Sequence, residues 1–205
     1  MSTFDQIYLS TERLILRPLS ESDAPALLSI FSDVRIMRYW STPAWTALST
    51  AEERIARNNR GMTAGDVLAL GIFHADSQRL LGTCDLFRFD VQCQRAEIGY
   101  GLAFGAWGQG YMQEALAALI GYGFDHLALN RIEADIDPRN IASANALLRQ
   151  GFRQEGRLRE RWIVSGEKSD SAMYGLLLSD WVAAKDLATT TAGSPATFPV
   201  RPATP

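Results

Sequence analysis

The chain has 205 residues, 47% of them hydrophobic and 21% charged, which is the composition of a soluble globular protein long enough to bury one sizeable core. Its formal net charge of -3 excludes the basic footprint of a nucleic-acid or anionic-membrane binder, so an anionic ligand would depend on local donors. Two cysteines (Cys84 and Cys93) are too few for a disulfide framework, residues 1–10 hold no apolar signal segment and no apolar run can span a bilayer, so a cytoplasmic setting is expected.

In chain order, residues 12–17 read as a first strand ended by Pro18. Ser20 opens a helix with Asp23 at the capping-box position, and Leu27, Leu28 and Phe31 form its apolar stripe. Residues 39–50 are aromatic and contain proline, and Ser49 starts a second, polar helix that fades at Gly61. Val67 to His74 and Arg79 to Asp90 are strands around a turn at 75–78, and Arg95 to Ala103 is a further strand. A helix is expected from about Gly108 to His126, a strand from Arg131 to Asp137, and a helix from Asn140 to Gln150 closed by Gly151. Two last strands, reaching about 158 and spanning 169–178, complete an α/β (α+β) sandwich with a mixed sheet. The domain covers 11–182 after an N-terminal extension of 1–10, and the Thr/Ala/Pro-rich stretch 187–205 reads as a disordered tail.

Gly105, Gly108 and Gly110 stand between a strand and a helix, where glycines allow a tight turn and close approach of a ligand. The first amides of the helix are orphan donors at the positive end of its dipole, so this loop can cradle a diphosphate. A Walker loop would need Gly-Lys-Ser/Thr at the helix start, but the chain has Gly110-Tyr111-Met112. A dinucleotide fingerprint from Gly108 would need glycine at Gln113. The order is G-x-x-G-x-G, and a glycine turn without chemical meaning stays open on spacing alone.

Three separated segments narrow this. They are Thr11 to Pro18; Ala96-Glu97-Ile98-Gly99-Tyr100-Gly101-Leu102 with Trp107 to Ala115; and Asp137-Pro138-Arg139-Asn140-Ile141-Ala142-Ser143 running on to Gly151-Phe152. Together they resemble the GNAT superfamily, in the branch of ribosomal-protein N-terminal (Rim-type) and spermidine acetyltransferases. The resemblance implies a GNAT fold, with a mixed sheet of six to seven strands flanked by about four helices. It implies acetyl-CoA as co-substrate and no metal. Strands 95–103 and 131–137 would run parallel and splay, leaving Tyr100, Gly101 and Leu102 to pair with the pantetheine arm. The diphosphate would sit on Trp107, Gly108, Gln109, Gly110, Tyr111, Met112 and Gln113, with Asn140 and Ser143 near the arm or the sulfur. The acceptor would be a small amine or a protein N-terminus, and a homodimer is left open. One departure is Leu147, where many GNAT enzymes carry the tyrosine that protonates the departing thiolate.

Amine acetylation needs a base, an oxyanion donor and a route for the thiolate. Glu97 is the first candidate base, two positions before Gly99 and on its face of the strand; the alternative is a salt-bridged surface carboxylate. Glu133 and Asp135 share a face of the neighbouring strand, with Glu133 the second choice. The backbone amide of Leu102 would be the oxyanion donor, and Ser143 would bond the cofactor or the sulfur. Tyr39 and Trp40 are candidates for the acceptor pocket, while Trp45 reads as packing. His74 and His126 lie in unrelated elements and suggest no metal site. Arg157, Arg159 and Arg161 read as a solvated face, and Asp170 could meet a cationic acceptor. The rival to an enzyme is a non-catalytic acyl-CoA-binding sensor, for which Leu147 is the best support.

Overall fold

A computed structural model describes residues 4–191 of the chain. In order the elements are β1 (Leu9–Ser10), β2 (Leu14–Arg17), α1 (Ala24–Phe31), α2 (Val34–Met37), α3 (Leu48–Ala64), β3 (Val67–His74), β4 (Leu80–Asp90), β5 (Arg95–Leu102), α4 (Tyr111–His126), β6 (Arg131–Ile136), α5 (Ile141–Arg149), β7 (Arg153–Val164), β8 (Glu167–Leu177) and α6 (Leu178–Thr191). The strands form one mixed sheet in the order β1-β2-β3-β4-β5-β6-β8-β7. All neighbours are antiparallel except β5 and β6, which are parallel.

The central strand β3 reads Val-Leu-Ala-Leu-Gly-Ile-Phe-His and is buried almost throughout, because helices cover both of its faces. Successive side chains of a strand point to opposite faces. Accordingly Ile72 joins the larger core with α4 residues Leu116, Leu119 and Ile120. Its neighbour Phe73 joins a second core with Leu27 and Phe31 of α1 and Ile55 of α3. In α4 the buried positions are Ala115, Leu116, Leu119, Ile120, Gly123 and Phe124, a four-residue rhythm that puts them on one helix face.

The described residues hold eight strands and six helices, where the family resemblance implies six to seven and about four. The additions are β1, a two-residue edge pair with Leu16 and Ile15, the single turn α2, and α6. None is long enough or patterned enough to show a period. The last two strands are also longer than expected, since β7 is exposed along nearly its whole length and carries no apolar alternation. Trp181 anchors α6 against Phe124, with ring centroids 5.2 Å apart. That helix reaches Thr191, past the expected start of the tail at 187. Residues 1–3 of the N-terminal extension and 192–205 of the expected tail lie outside the described residues. Among the described residues no helix is long and apolar enough to cross a membrane.

Candidate active site

The site arises where one ladder stops. β5 and β6 pair only through Arg95–Arg131, Ala96–Ile132 and Glu97–Glu133. Past Glu97, β5 follows β4 as far as Leu102, and β6 follows β8 as far as Ile136. The strands therefore fork, leaving the β6-facing edge of Ile98 to Leu102 without a strand partner among the described residues. A cavity of about 220 Å³ lies at the fork, and its walls include Tyr39, Trp40, Glu97, Tyr100, Asn140 and Ser143. Trp40 packs edge-on against Phe31 at 4.9 Å. A Cβ on Gly101 would lie 2.8 Å from Trp40 Cζ2, so the glycine lets the indole rest against the strand.

β5 runs directly into the glycine loop. Gly108 and Gly110 have φ of 72° and 80°, the left-handed region that glycine adopts without strain. Gly110 precedes α4 and supplies no side-chain cap, so the opening amides of a 16-residue helix lack a capping acceptor and could donate to an anion. The loop is braced from within by Trp107 Nε1 donating to the Leu102 carbonyl at 2.9 Å and Gln109 Nε2 donating to the Gly105 carbonyl at 2.8 Å.

Four carboxylates cluster near the fork, and their partners differ. Glu97 lines the cavity and accepts from Arg88 at 2.7 Å. Glu133 is held between Arg95 at 2.9 Å and Arg131 at 2.8 Å and does not line it. Asp137 lines it too, but both its oxygens are gripped by Arg139, and Asp137 Oδ1 also accepts the Arg139 backbone amide at 2.9 Å. Burial would raise the Asp137 carboxyl, and the Arg139 bonds outweigh it and hold the group below its ordinary value. Asp135 is the exception. Its side chain is 4% exposed, Oδ2 accepts from Arg161 at 2.9 Å, and Oδ1 is buried with no partner among the described residues. An unpaired buried carboxylate oxygen is costly, and Asp135 too lines the cavity.

On the α5 side, Asn140 caps the helix by accepting from the Ser143 amide at 3.1 Å. That turn brings the Ser143 hydroxyl within 2.8 Å of the Tyr100 hydroxyl. Burial raises the Tyr100 phenol well above its ordinary value, against a smaller opposing effect of the Ser143 bond, so it stays a proton donor at neutral pH. Leu147 is fully buried in the main core.

Thus Glu97, Tyr100, Asn140, Ser143, Tyr39 and Trp40 meet around one cavity, and the loop residues 107–113 adjoin its strand. Trp45 stacks on Phe31 at 4.9 Å instead. His74 packs on Tyr111 and His126 on Tyr122, and Asp170 is paired with Arg157 at 2.7 Å. Among the described residues no group of three His, Cys, Asp or Glu is placed to hold a metal. Sequence reasoning grouped Asp135 with Glu133 without singling it out, and did not foresee the Tyr100–Ser143 contact. The strand alternation that groups Asp135 with Glu133 was the only signal for the first; the second links residues 43 positions apart and has no local signature.

The acetyltransferase (GNAT) domain profile matches residues 13–153. An uncharacterized N-acetyltransferase, p20 of Bacillus licheniformis, is 36% identical over 173 residues, covering 84% of this chain and 97% of its own. The [ribosomal protein uS5]-alanine N-acetyltransferase of Escherichia coli (strain K12) is 26% identical over 185 residues, covering 88% and 95%. A solved spermidine N-acetyltransferase from Vibrio cholerae, in complex with CoA and spermine, superposes with a TM-score of 0.74 at 20% identity over 84% of this chain and 99% of that one, a likeness of fold.

Proposed function

The chain belongs to the acetyltransferase (GNAT) domain family, and from that premise we propose that it moves acetyl from acetyl-CoA to a primary amine by direct attack in a ternary complex. The observation that carries this reading is the fork of β5 and β6 beside the uncapped start of α4. An extended acyl-pantetheine arm can pair with the free edge at Tyr100, Gly101 and Leu102, while amides of 107–113 take the diphosphate. The acceptor, a small amine or a protein N-terminus, enters past Tyr39 and Trp40. A cytoplasmic setting belongs to the same reading.

The chemistry follows from the residues. A lysine-like ammonium has a pKa of about 10.4, so it must lose a proton before it can attack. Glu97 and Asp135 both line the cavity, but Glu97 is engaged by Arg88 while Asp135 keeps one oxygen free. The free oxygen favours Asp135 as the group that receives the proton, with Glu97 adding negative charge nearby. The amine nitrogen then bonds to the carbonyl carbon. The Ala103 amide is spent on the Leu81 carbonyl at 2.7 Å, and amides alternate edges along a strand, so the Leu102 amide faces the fork as the oxyanion donor. The carbon–sulfur bond breaks with its electron pair on sulfur. Nitrogen gives up its second proton, the thiolate gains one through Ser143 and Tyr100, and one proton is released overall.

The test is release of free coenzyme A with a panel of primary amines, for the wild type and for Glu97→Gln and Asp135→Asn. Turnover of some amine, reduced more than acetyl-CoA binding in a carboxylate variant, supports the reading. Binding of acetyl-CoA with no turnover of any amine would favour the sensor, for which buried Leu147 removes the usual acid. Stabilisation of the fold by nucleotides but not by acetyl-CoA would refute both.

A further inference from the structure

We propose that Arg13 is a positioning residue for the diphosphate end of the cofactor site, strapping the glycine loop from the turn that leads into β2. Arg13 directly precedes β2. Its Nη1 donates to the Gln109 carbonyl at 3.0 Å and its Nε to Glu114 Oε2 at 2.7 Å, so one guanidinium ties together residues on both sides of Gly110. The Arg13 amide donates to Glu114 Oε1 at 2.8 Å, and Thr11 Oγ1 donates to the same oxygen at 2.5 Å. The guanidinium also lies over the Tyr111 ring at 4.8 Å.

Two effects follow at the loop. Glu114 lies in the first turn of α4, where an unengaged carboxylate would itself be drawn to the free amides. Here both its oxygens are occupied by Thr11 and Arg13. Burial would raise this carboxyl, yet the Thr11 and Arg13 bonds prevail and keep it ionised below its ordinary value. The second effect is on the peptide before Gly110. Gly110 has φ 80°, and its lack of a Cβ makes reorientation of that peptide easy. With the Gln109 carbonyl held on Arg13, the loop presents N–H groups, not a carbonyl, to an incoming anion.

The proposal rests on the acetyl-CoA reading above, and its test separates the two. Acetyl-pantetheine carries the same thioester without the diphosphate. Arg13→Gln is expected to raise KM for acetyl-CoA by about tenfold while leaving KM for acetyl-pantetheine, and acceptor KM at saturating acetyl-CoA, near wild type. Glu114→Gln, which frees the guanidinium, should shift acetyl-CoA in the same direction. Equal losses with both donors, or a raised acceptor KM, would mean a general structural role and overturn the proposal, as would an unchanged KM for acetyl-CoA. A wild type that binds no coenzyme A would instead overturn the proposed function.

Discussion

Replacing Asp135 by asparagine keeps the shape of the side chain and a bond for Arg161 but removes the one buried carboxylate oxygen that lacks a partner among the described residues. The fold should tolerate this, because a buried charge is traded for a neutral amide. Turnover should not. At pH 7 an amine of pKa about 10.4 is neutral to only about four parts in ten thousand, and a positioned base contributes on the order of a hundredfold or more. The variant's kcat/KM should therefore fall at least about a hundredfold at pH 7. The deficit should then shrink as pH rises, since each unit supplies about tenfold more free amine until the acceptor's own pKa is reached. For a protein N-terminus, with a pKa of about 7.7 to 8.0, the loss should be smaller and nearly gone by about pH 9. Initial rates of thiol release from about pH 6 to 9.5 read this out and also separate the two acceptor classes. A variant as fast as wild type at pH 7, or one with a deficit that ignores pH, would refute the reasoning. If Glu97→Gln alone lost activity, the role would pass to Glu97.

Other substitutions probe the surrounding geometry. Gly101→Ala would set a Cβ 2.8 Å from Trp40 Cζ2; an overpacking cost of about 1–3 kcal/mol is expected, visible as a lower melting temperature and a raised acceptor KM. Leu147→Tyr should not restore a conventional acid, because position 147 is fully buried; the expected result is destabilisation of about 1–3 kcal/mol with no gain in kcat. Asp137→Asn should lower the melting temperature at neutral pH, since its carboxylate is held by Arg139. Because the folded-state pKa is depressed, that contribution is fully present above the usual carboxylate range and lost as pH falls from that range through the lower folded-state pKa. The gap between variant and wild type should therefore close on acidification, as followed by melts across that range.

Much of the fold was legible because its signals are local. The alternation in β5, the glycines before α4 and the Asn140 cap of α5 each depend on residues a few positions apart, and each element formed near its expected place. β1, α2 and α6 escaped notice because two to four residues cannot show a period, and the weak apolar face of α6 is seated through Trp181 on a distant helix. The site divides in the same way. Spacing and the family resemblance singled out the glycine loop as a candidate cofactor site, whereas nothing local set Asp135 apart as the candidate base.

Sequence by itself therefore settled the strand, glycine loop and helix to which the proposed function assigns the diphosphate, because backbone geometry and glycine placement are properties of neighbouring residues. Tertiary structure alone decided which acid keeps an open oxygen. Glu97, Glu133 and Asp135 share one face of adjacent strands, and strand alternation treats them alike. They are told apart by their arginines: Arg88 of β4 on Glu97, Arg95 of β5 together with Arg131 of β6 itself on Glu133, and Arg161 of β7 on a single oxygen of Asp135. Except for Arg131 and Glu133, two positions apart on β6, those pairings follow from strand register and the reach of long side chains, which no local pattern encodes.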